Sequence, residues 1–207
     1  MMCPVSANSF GVAILAAGAS SRMGRQKMLL PWRTTTVLGQ LLAQWKEAGA
    51  AQIAVVCGLG NTKVTAELER LGVPPEQQIV NPEPVRGMFS SIQCAALWDG
   101  WLPEVRHIVI ALGDQPHLPN GTLRAVVEFA AQNPQKICQP SRAGRPRHPI
   151  FLPRTMLASL TAATHGTMKD FLAAQTDARQ CIEIDDPGLD LDLDTPADYD
   201  TARRLYP

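Results

Sequence analysis

The chain has 207 residues, 45% of them hydrophobic and 18% charged. That length and balance suit one globular domain with a sizeable core and exclude a disordered or fibrous chain. Its 19 basic and 19 acidic residues cancel, so it lacks the basic footprint of a nucleic-acid binder, and a small anionic substrate needs only a local cationic site.

In chain order, Phe10–Ala17 is an apolar run that reads as a buried strand. Thr36–Ala48 and Thr62–Leu71 carry apolar residues at helical spacing, with Gly49 and Gly72 as C-terminal stops. Gln52–Cys57, Gln77–Val80 and His107–Leu112 read as strands, Ser90–Trp98 and Pro119–Ala131 as helices. This alternation predicts an α/β protein: a three-layer sandwich with a mostly parallel, Rossmann-like sheet covered on both faces. The back half changes character. Lys136–Pro140 and Pro149–Leu152 are short and proline-bounded, as edge or antiparallel strands are. Helices are expected around Arg154–Ala162 and Gly166–Ala174, then a strand at Cys181–Asp185. Thr195–Leu205 closes the chain as a helix, with Thr195 as N-cap and Pro196 in its first position. No repeat or low-complexity linker interrupts the chain, so one domain is expected over residues 1–207.

Five cysteines, Cys3, Cys57, Cys94, Cys138 and Cys181, stand far apart without a C-x-x-C. They read as small buried hydrophobes rather than a disulfide framework or a zinc site. Met1–Phe10 has no basic n-region and no long apolar stretch. The expectation is a cytoplasmic protein with no membrane-spanning helix.

The stretch Leu15–Pro31 is the richest in chemistry. After the first strand come Gly18, Ser20, Ser21 and Gly24, with Arg22, Arg25 and Lys27 among and just beyond them. Glycines admit a ligand close to the backbone, and successive N–H groups in such a turn make an anion-binding concavity. Small residues plus cations after a strand suit a triphosphate, although a tight turn with solvated cations has the same composition. The spacing is neither G-x-x-x-x-G-K-[ST] nor G-x-G-x-x-G, which excludes a P-loop and a Rossmann dinucleotide fingerprint.

Open α/β sheets bind ligands beyond the carboxyl ends of their strands. Gly113-Asp114-Gln115-Pro116 follows a strand there; Asp114 is placed either to hold Mg²⁺ or to serve the turn itself. In Asp190-Leu191-Asp192-Leu193-Asp194, alternation predicts a strand with three carboxylates on one face. Such a face is a solvated edge or a cation site. In Asn81–Ser91, Gly87 permits close approach, and Ser90 and Ser91 offer hydroxyls at a helix start. Gly144–Phe151 sets Arg145, Arg147 and His148 in a loop, chemistry suited to an anionic second substrate. His107, His117 and His165 have no evident partner.

Together LAAGASSRMGRQKMLLP, the Asn81–Ser91 segment, GDQP, GRPRHP and DLDTPADY resemble the nucleotidyltransferases of molybdenum cofactor maturation, in order, over about residues 10–205. The resemblance implies a nucleotide-diphospho-sugar transferase fold with a nucleotide-binding half at about 10–118 and an acceptor-binding half at about 119–207. It implies Mg²⁺-dependent transfer of CMP from CTP to the phosphate of a molybdopterin-type cofactor. Lys27, Arg22 and Asp114 would be catalytic, and Asp114 with Asp194, or else Asp192, would hold the metal. Leu15, Ala16, Ala17, Gly18, Arg22, Lys27, Asn81, Gly87, Ser90 and Ser91 would bind the nucleotide, and Arg145 and His148 the acceptor. Ala17, where the guanylyl branch has glycine, points to cytidine. A guanylyltransferase on the same cofactor, transfer to another phosphorylated small molecule, or a non-catalytic carrier of the cofactor are the alternatives. A molybdoenzyme of the xanthine dehydrogenase type is the implied partner. The chain departs from the pattern at Trp32–Thr36, at Phe89, where serine is usual, and at Gly166–Leu172.

Overall fold

A computed structural model describes residues 9–164 and 166–207. Cys3, His165 and the start at 1–8 lie outside the described residues. The elements run β1 (Phe10–Leu15), β2 (Pro31–Trp32), β3 (Thr35–Thr36), α1 (Val37–Glu47), β4 (Gln52–Gly58), α2 (Thr62–Arg70), β5 (Gln78–Asn81), α3 (Met88–Leu97) and β6 (His107–Leu112). They continue with α4 (Asn120–Gln132), β7 (Ile137–Arg142), β8 (Arg145–Pro146), β9 (Ile150–Pro153), α5 (Leu157–Ala162), α6 (Met168–Ala173), β10 (Arg179–Glu183) and α7 (Pro196–Leu205).

The main sheet has the order β10-β7-β9-β6-β1-β4-β5, with β8 beside β7. β1 pairs parallel with both β4 and β6, and every one of its residues is buried. A strand covered on both faces must be apolar throughout. Its side chains alternate between two cores. Val12 and Ile14 join Leu38, Leu41 and Trp45 of α1, Leu68 of α2, Leu123 of α4 and Tyr199 of α7. Ala13 and Leu15 join Phe89 and Ile92 of α3, Leu160 of α5 and Phe171 of α6. This is the expected three-layer sandwich.

Helix ends follow local chemistry. Thr36 Oγ1 accepts from the Gly39 N–H to cap α1, and Gly49 and Gly72 take φ of 90° and 74° just beyond α1 and α2. Thr195 and Asp198 form a reciprocal capping box on α7, with Pro196 in its first turn.

The proline-bounded strands include the antiparallel pairings expected of them, although β9 is internal, lying between β6 and β7 and antiparallel to both; two other expectations fail. Pro140 is accommodated because β7 pairs with β9 only at Cys138–Phe151, and the Pro140 carbonyl still accepts from Arg147 N. Asp190–Asp194 is not a strand. Pro187–Asp190 is a 3-10 turn and the chain then runs irregularly, because Leu189 and Leu193 are both drawn into the core from a segment with no partner strand. Finally, Cys181 is exposed on edge strand β10, whereas Cys57 and Cys138 are buried, with burial pushing their thiols up to about 11. Among the described residues no helix is long and apolar enough to cross a membrane.

Candidate active site

Because β1, β4, β5 and β6 run parallel, their carboxyl ends share one edge of the sheet. The loops leaving that edge enclose a cleft of about 370 Å³, a usual size for a small-molecule site.

The loop after β1 forms one side. Ser20, at φ 52°, accepts from Lys27 N at 3.1 Å through its hydroxyl and donates to Gln26 Oε1 at 3.1 Å. Met23 and Met28 are buried and pin the loop to the core. The N–H groups of Ala17, Gly18 and Ala19 take no hydrogen-bond partner among the described residues. A Cβ on Gly18 would meet nothing within 4 Å; the loop therefore offers backbone donors beside open room, as an anion site requires.

The turn after β6 forms the floor. A Cβ on Gly113 would stand 2.4 Å from the Leu15 carbonyl oxygen, so only glycine lets this turn lie against the end of β1. Asp114 follows. Its Oδ2 is 3.2 Å from Lys27 Nζ, and its Oδ1 is buried without a partner among the described residues. Asp194 Oδ1 is 3.4 Å from the same ammonium, and its Oδ2 is 2.8 Å from Arg22 Nη1. The structure thus brings together Arg22, Lys27, Asp114 and Asp194 from sites up to 172 positions apart.

The three aspartates read as one face separate. Asp190 pairs with Arg142 and Arg147, away from the cleft lining. Asp192 accepts from Gln115 Nε2 at 3.0 Å. Crowding around its carboxyl, and then the nearby Asp114 carboxylate, raise its proton affinity, which the Gln115 hydrogen bond opposes.

Pro84, Gly87, Met88 and Ser91 make the opposite wall. Gly87 has φ 91° and ψ 179°, a region open essentially to glycine alone. Asn81 and Ser90 stand behind this wall rather than in the lining. The Asn81 amide donates to Ser90 Oγ at 2.8 Å and Ser91 Oγ at 2.9 Å and accepts from Glu83 N at 2.9 Å, which holds the turn that starts α3. No side chain caps that helix start, leaving N–H groups at its end for an anionic or polar ligand.

Arg145 is exposed in β8 and His148 is half-buried; neither lines the cleft. The β6–β9 register pairs Ile110 with Ile150, and continuing it sets His148 level with Leu112, one step before the Gly113–Asp114 turn. Burial pushes His148 down to about 4, against smaller opposing effects of a hydrogen bond at Ile110 and the Asp114 charge, so its ring is neutral at pH 7. Of the histidines without a foreseen partner, His117 has one: its Nε2 is 3.0 Å from the Gly188 carbonyl oxygen, and its ring lies between those of Trp32 and Tyr206.

Sequence reasoning passed over Met28, Pro84 and Met88, which line the cleft, and Gln115, which is buried and tied to Asp192. All four stood inside motifs already singled out, and their neighbourhood was the available signal.

A cleft of about 370 Å³ at the carboxyl edge of a parallel sheet, with unpaired N–H groups, two cations and two carboxylates, suits an anionic ligand of the nucleotide class. Residues 12–179 match the family model described as the MobA-like NTP transferase domain. The chain belongs to that family and is a nucleotidyltransferase. It is 29% identical over 196 residues to a molybdenum cofactor cytidylyltransferase of Escherichia coli K12, covering 93% of this chain and 95% of the relative. It is 32% identical over 139 residues to a molybdenum cofactor guanylyltransferase of Mesorhizobium japonicum, covering 67% of this chain and 63% of the relative. Among solved structures it resembles a Mycobacterium tuberculosis H37Rv protein in complex with manganese, with TM-score 0.68 and 26% identity over 96% of this chain and 100% of that one.

Proposed function

We propose that this protein transfers CMP from CTP to the phosphate of molybdenum-bearing molybdopterin, releasing pyrophosphate and forming a cytosine dinucleotide. The observation that carries the reading is the joining of Lys27 to Asp114 and Asp194 opposite three unpaired backbone N–H groups. The near full-length similarity to a cytidylyltransferase supports it, and Ala17 in the first loop supports cytidine.

Mg²⁺ is the expected cofactor, and the residues fit it. Magnesium is held by one or two carboxylates and completed by substrate phosphates rather than by a protein cage. Among the described residues no group of three or more His, Cys, Asp or Glu gathers as such a cage, while Asp114 keeps one buried carboxylate oxygen without a partner. Asp114 and Asp194 would hold the ion, which when bound neutralises charge on the reacting phosphates.

The chain's own residues do the rest. The N–H groups of residues 17–19 receive phosphate oxygens. Lys27, held by two carboxylates in the free protein, turns its ammonium to the triphosphate when the nucleotide enters, and exposed Arg22 does the same from the rim. Gly87, Met88 and Ser91 hold the nucleoside, with Asn81 and Ser90 fixing their turn. Arg145 and neutral His148 approach the acceptor from the β8–β9 side. Positioning and charge stabilisation provide the catalysis, since the attacking phosphate needs little proton transfer. The reaction belongs to the cytoplasm, and a xanthine dehydrogenase-type enzyme would take the product.

Pyrophosphate release with CTP or GTP, Mg²⁺ and the molybdenum-loaded acceptor tests this. Release with CTP, dependent on acceptor and Mg²⁺, is the expected result. Release with GTP instead moves the assignment to guanylyl transfer, as in the Mesorhizobium relative. Dinucleotide binding without pyrophosphate release makes the protein a carrier.

A further inference from the structure

We propose that Gln115 is a positioning residue for the metal site: by holding Asp192 it fixes the segment that carries Asp194 and sets Asp194 against Asp114. The inference rests on the reading that Asp114 and Asp194 hold the ion.

Leu191–Asp194 has no regular secondary structure, so no ladder sets its register. Its placement comes from the β6 turn. Leu193 N donates to the Asp114 carbonyl oxygen at 3.1 Å, and Gln115 Nε2 donates to Asp192 Oδ1 at 3.0 Å. Inside the segment, Asp194 N donates to the Asp192 carbonyl oxygen at 2.9 Å. That tight turn joins the two residues through the backbone, so a displacement of the Asp192 backbone is passed to Asp194.

The donor is firm. Gln115 is 4% exposed, and its own carbonyl accepts from the buried Gln44 amide of α1 at 3.4 Å. Its acceptor lies in a segment without regular structure, and the Gln115 hydrogen bond is what ties the Asp192 side chain to the β6 turn. Without it, that tie is left to the Leu193 N–H alone, and Asp194 is freer to leave Lys27 and Arg22. Asp192 is therefore an anchor, not a ligand: Asp194, not Asp192, meets the two cations.

A reversal of hydrogen-bond polarity tests the assignment. The readout is the ratio of nucleotide dissociation constants in EDTA and in Mn²⁺, by calorimetry, with whichever of CTP and GTP the wild-type protein binds more tightly. Gln115→Glu replaces the donor with a second carboxylate, and the ratio should fall about tenfold. Asp192→Asn keeps an acceptor for Gln115, and the ratio should stay within about twofold of wild type. Gln115→Glu combined with Asp192→Asn restores one donor and one acceptor in reverse order at unchanged net charge, and the ratio should recover. A merely structural role for Gln115 lowers the thermal midpoint without moving the ratio. Asp114→Asn is the control and should abolish the Mn²⁺ enhancement. Persisting enhancement in that control overturns the metal reading and the inference with it. Loss in the control without recovery in the double variant overturns the Gln115 assignment alone. Loss in Asp192→Asn alone makes Asp192 a ligand and also overturns it. If Gln115→Glu fails to fold, Gln115→Leu with and without Asp192→Asn keeps the comparison: the ratio should fall in the single variant and rise when Asp192 loses its charge.

Discussion

The loop after β1 takes its bracing side-chain hydrogen bonds from its own residues, whereas the acidic segment Asp185–Asp194 takes most of its side-chain contacts from residues elsewhere in the chain. In the first, Ser20 bonds Gln26 and Lys27, and Met23 and Met28 anchor the turns between them. In the second, Asp186 accepts from Thr122, Gly188 meets His117, Asp192 meets Gln115 and Asp194 meets Arg22 and Lys27. A self-braced loop presents unpaired N–H groups before any ligand arrives. A loop braced from outside takes its geometry from the rest of the fold, and so responds to changes far away in sequence. On the proposed reading, the cleft pairs a phosphate cradle braced mainly by its own residues with a carboxylate braced by residues from elsewhere.

The largest test of this contrast is at the residue both sides share. Asp114→Asn should lower kcat by about 10³-fold or more, the scale of losing a principal charge stabiliser, with an unchanged circular dichroism spectrum. Turnover like wild type at saturating Mg²⁺ removes Asp114 from the mechanism. Lys27→Met comes next, with about a 10²-fold loss of kcat/KM. In the same variant Mn²⁺ binding without nucleotide should tighten, because the ammonium no longer occupies Asp114 and Asp194; electron paramagnetic resonance of free Mn²⁺ reads this. Two glycines then separate ligand room from backbone need. Gly18→Ala should bind nucleotide about tenfold more weakly at an unchanged thermal midpoint, since its Cβ enters open cleft. Gly87→Ala should lose about 1–3 kcal/mol of stability and lower the midpoint by roughly 2–4 °C per kcal/mol, since φ 91° with ψ 179° excludes a side chain.

The same contrast explains what could be read in advance. β1, β6 and α1 were legible because unbroken apolar runs, 3.6-residue periodicity and a threonine cap are local signals. The loop after β1 was legible as a candidate anion site for the same reason, its glycines, serines and cations standing within a few residues. The aspartate alternation misled because period two is a strand signal only where a partner strand exists, and β10 ends at Glu183 without one continuing beside Asp190–Asp194. β9 was legible as an antiparallel strand but not as an internal one, because proline boundaries mark where backbone pairing stops, not the strand's place in the sheet. Gln115 and the buried Asn81 bracing were hidden because their partners are fixed by packing between elements, which no local pattern encodes.

The smallest prediction asks how the acidic segment is held at its far end. Thr195 follows Asp194 directly, and its side chain accepts from Asp198 N while Asp198 accepts from Thr195 N. Thr195→Ala removes one half of that box and should cost about 1 kcal/mol, a drop in thermal midpoint of roughly 2–4 °C for a chain of this size. Tyr199, one turn into α7, donates to the Pro31 carbonyl oxygen and packs on Trp32, so the helix body stays docked when its cap is lost. The metal-dependent gain in nucleotide affinity should therefore survive in Thr195→Ala while it falls in Gln115→Glu. Equal losses in the two variants would show that Asp194 is positioned by the helix start as much as by the β6 turn, and the segment would then be braced from both ends rather than from one.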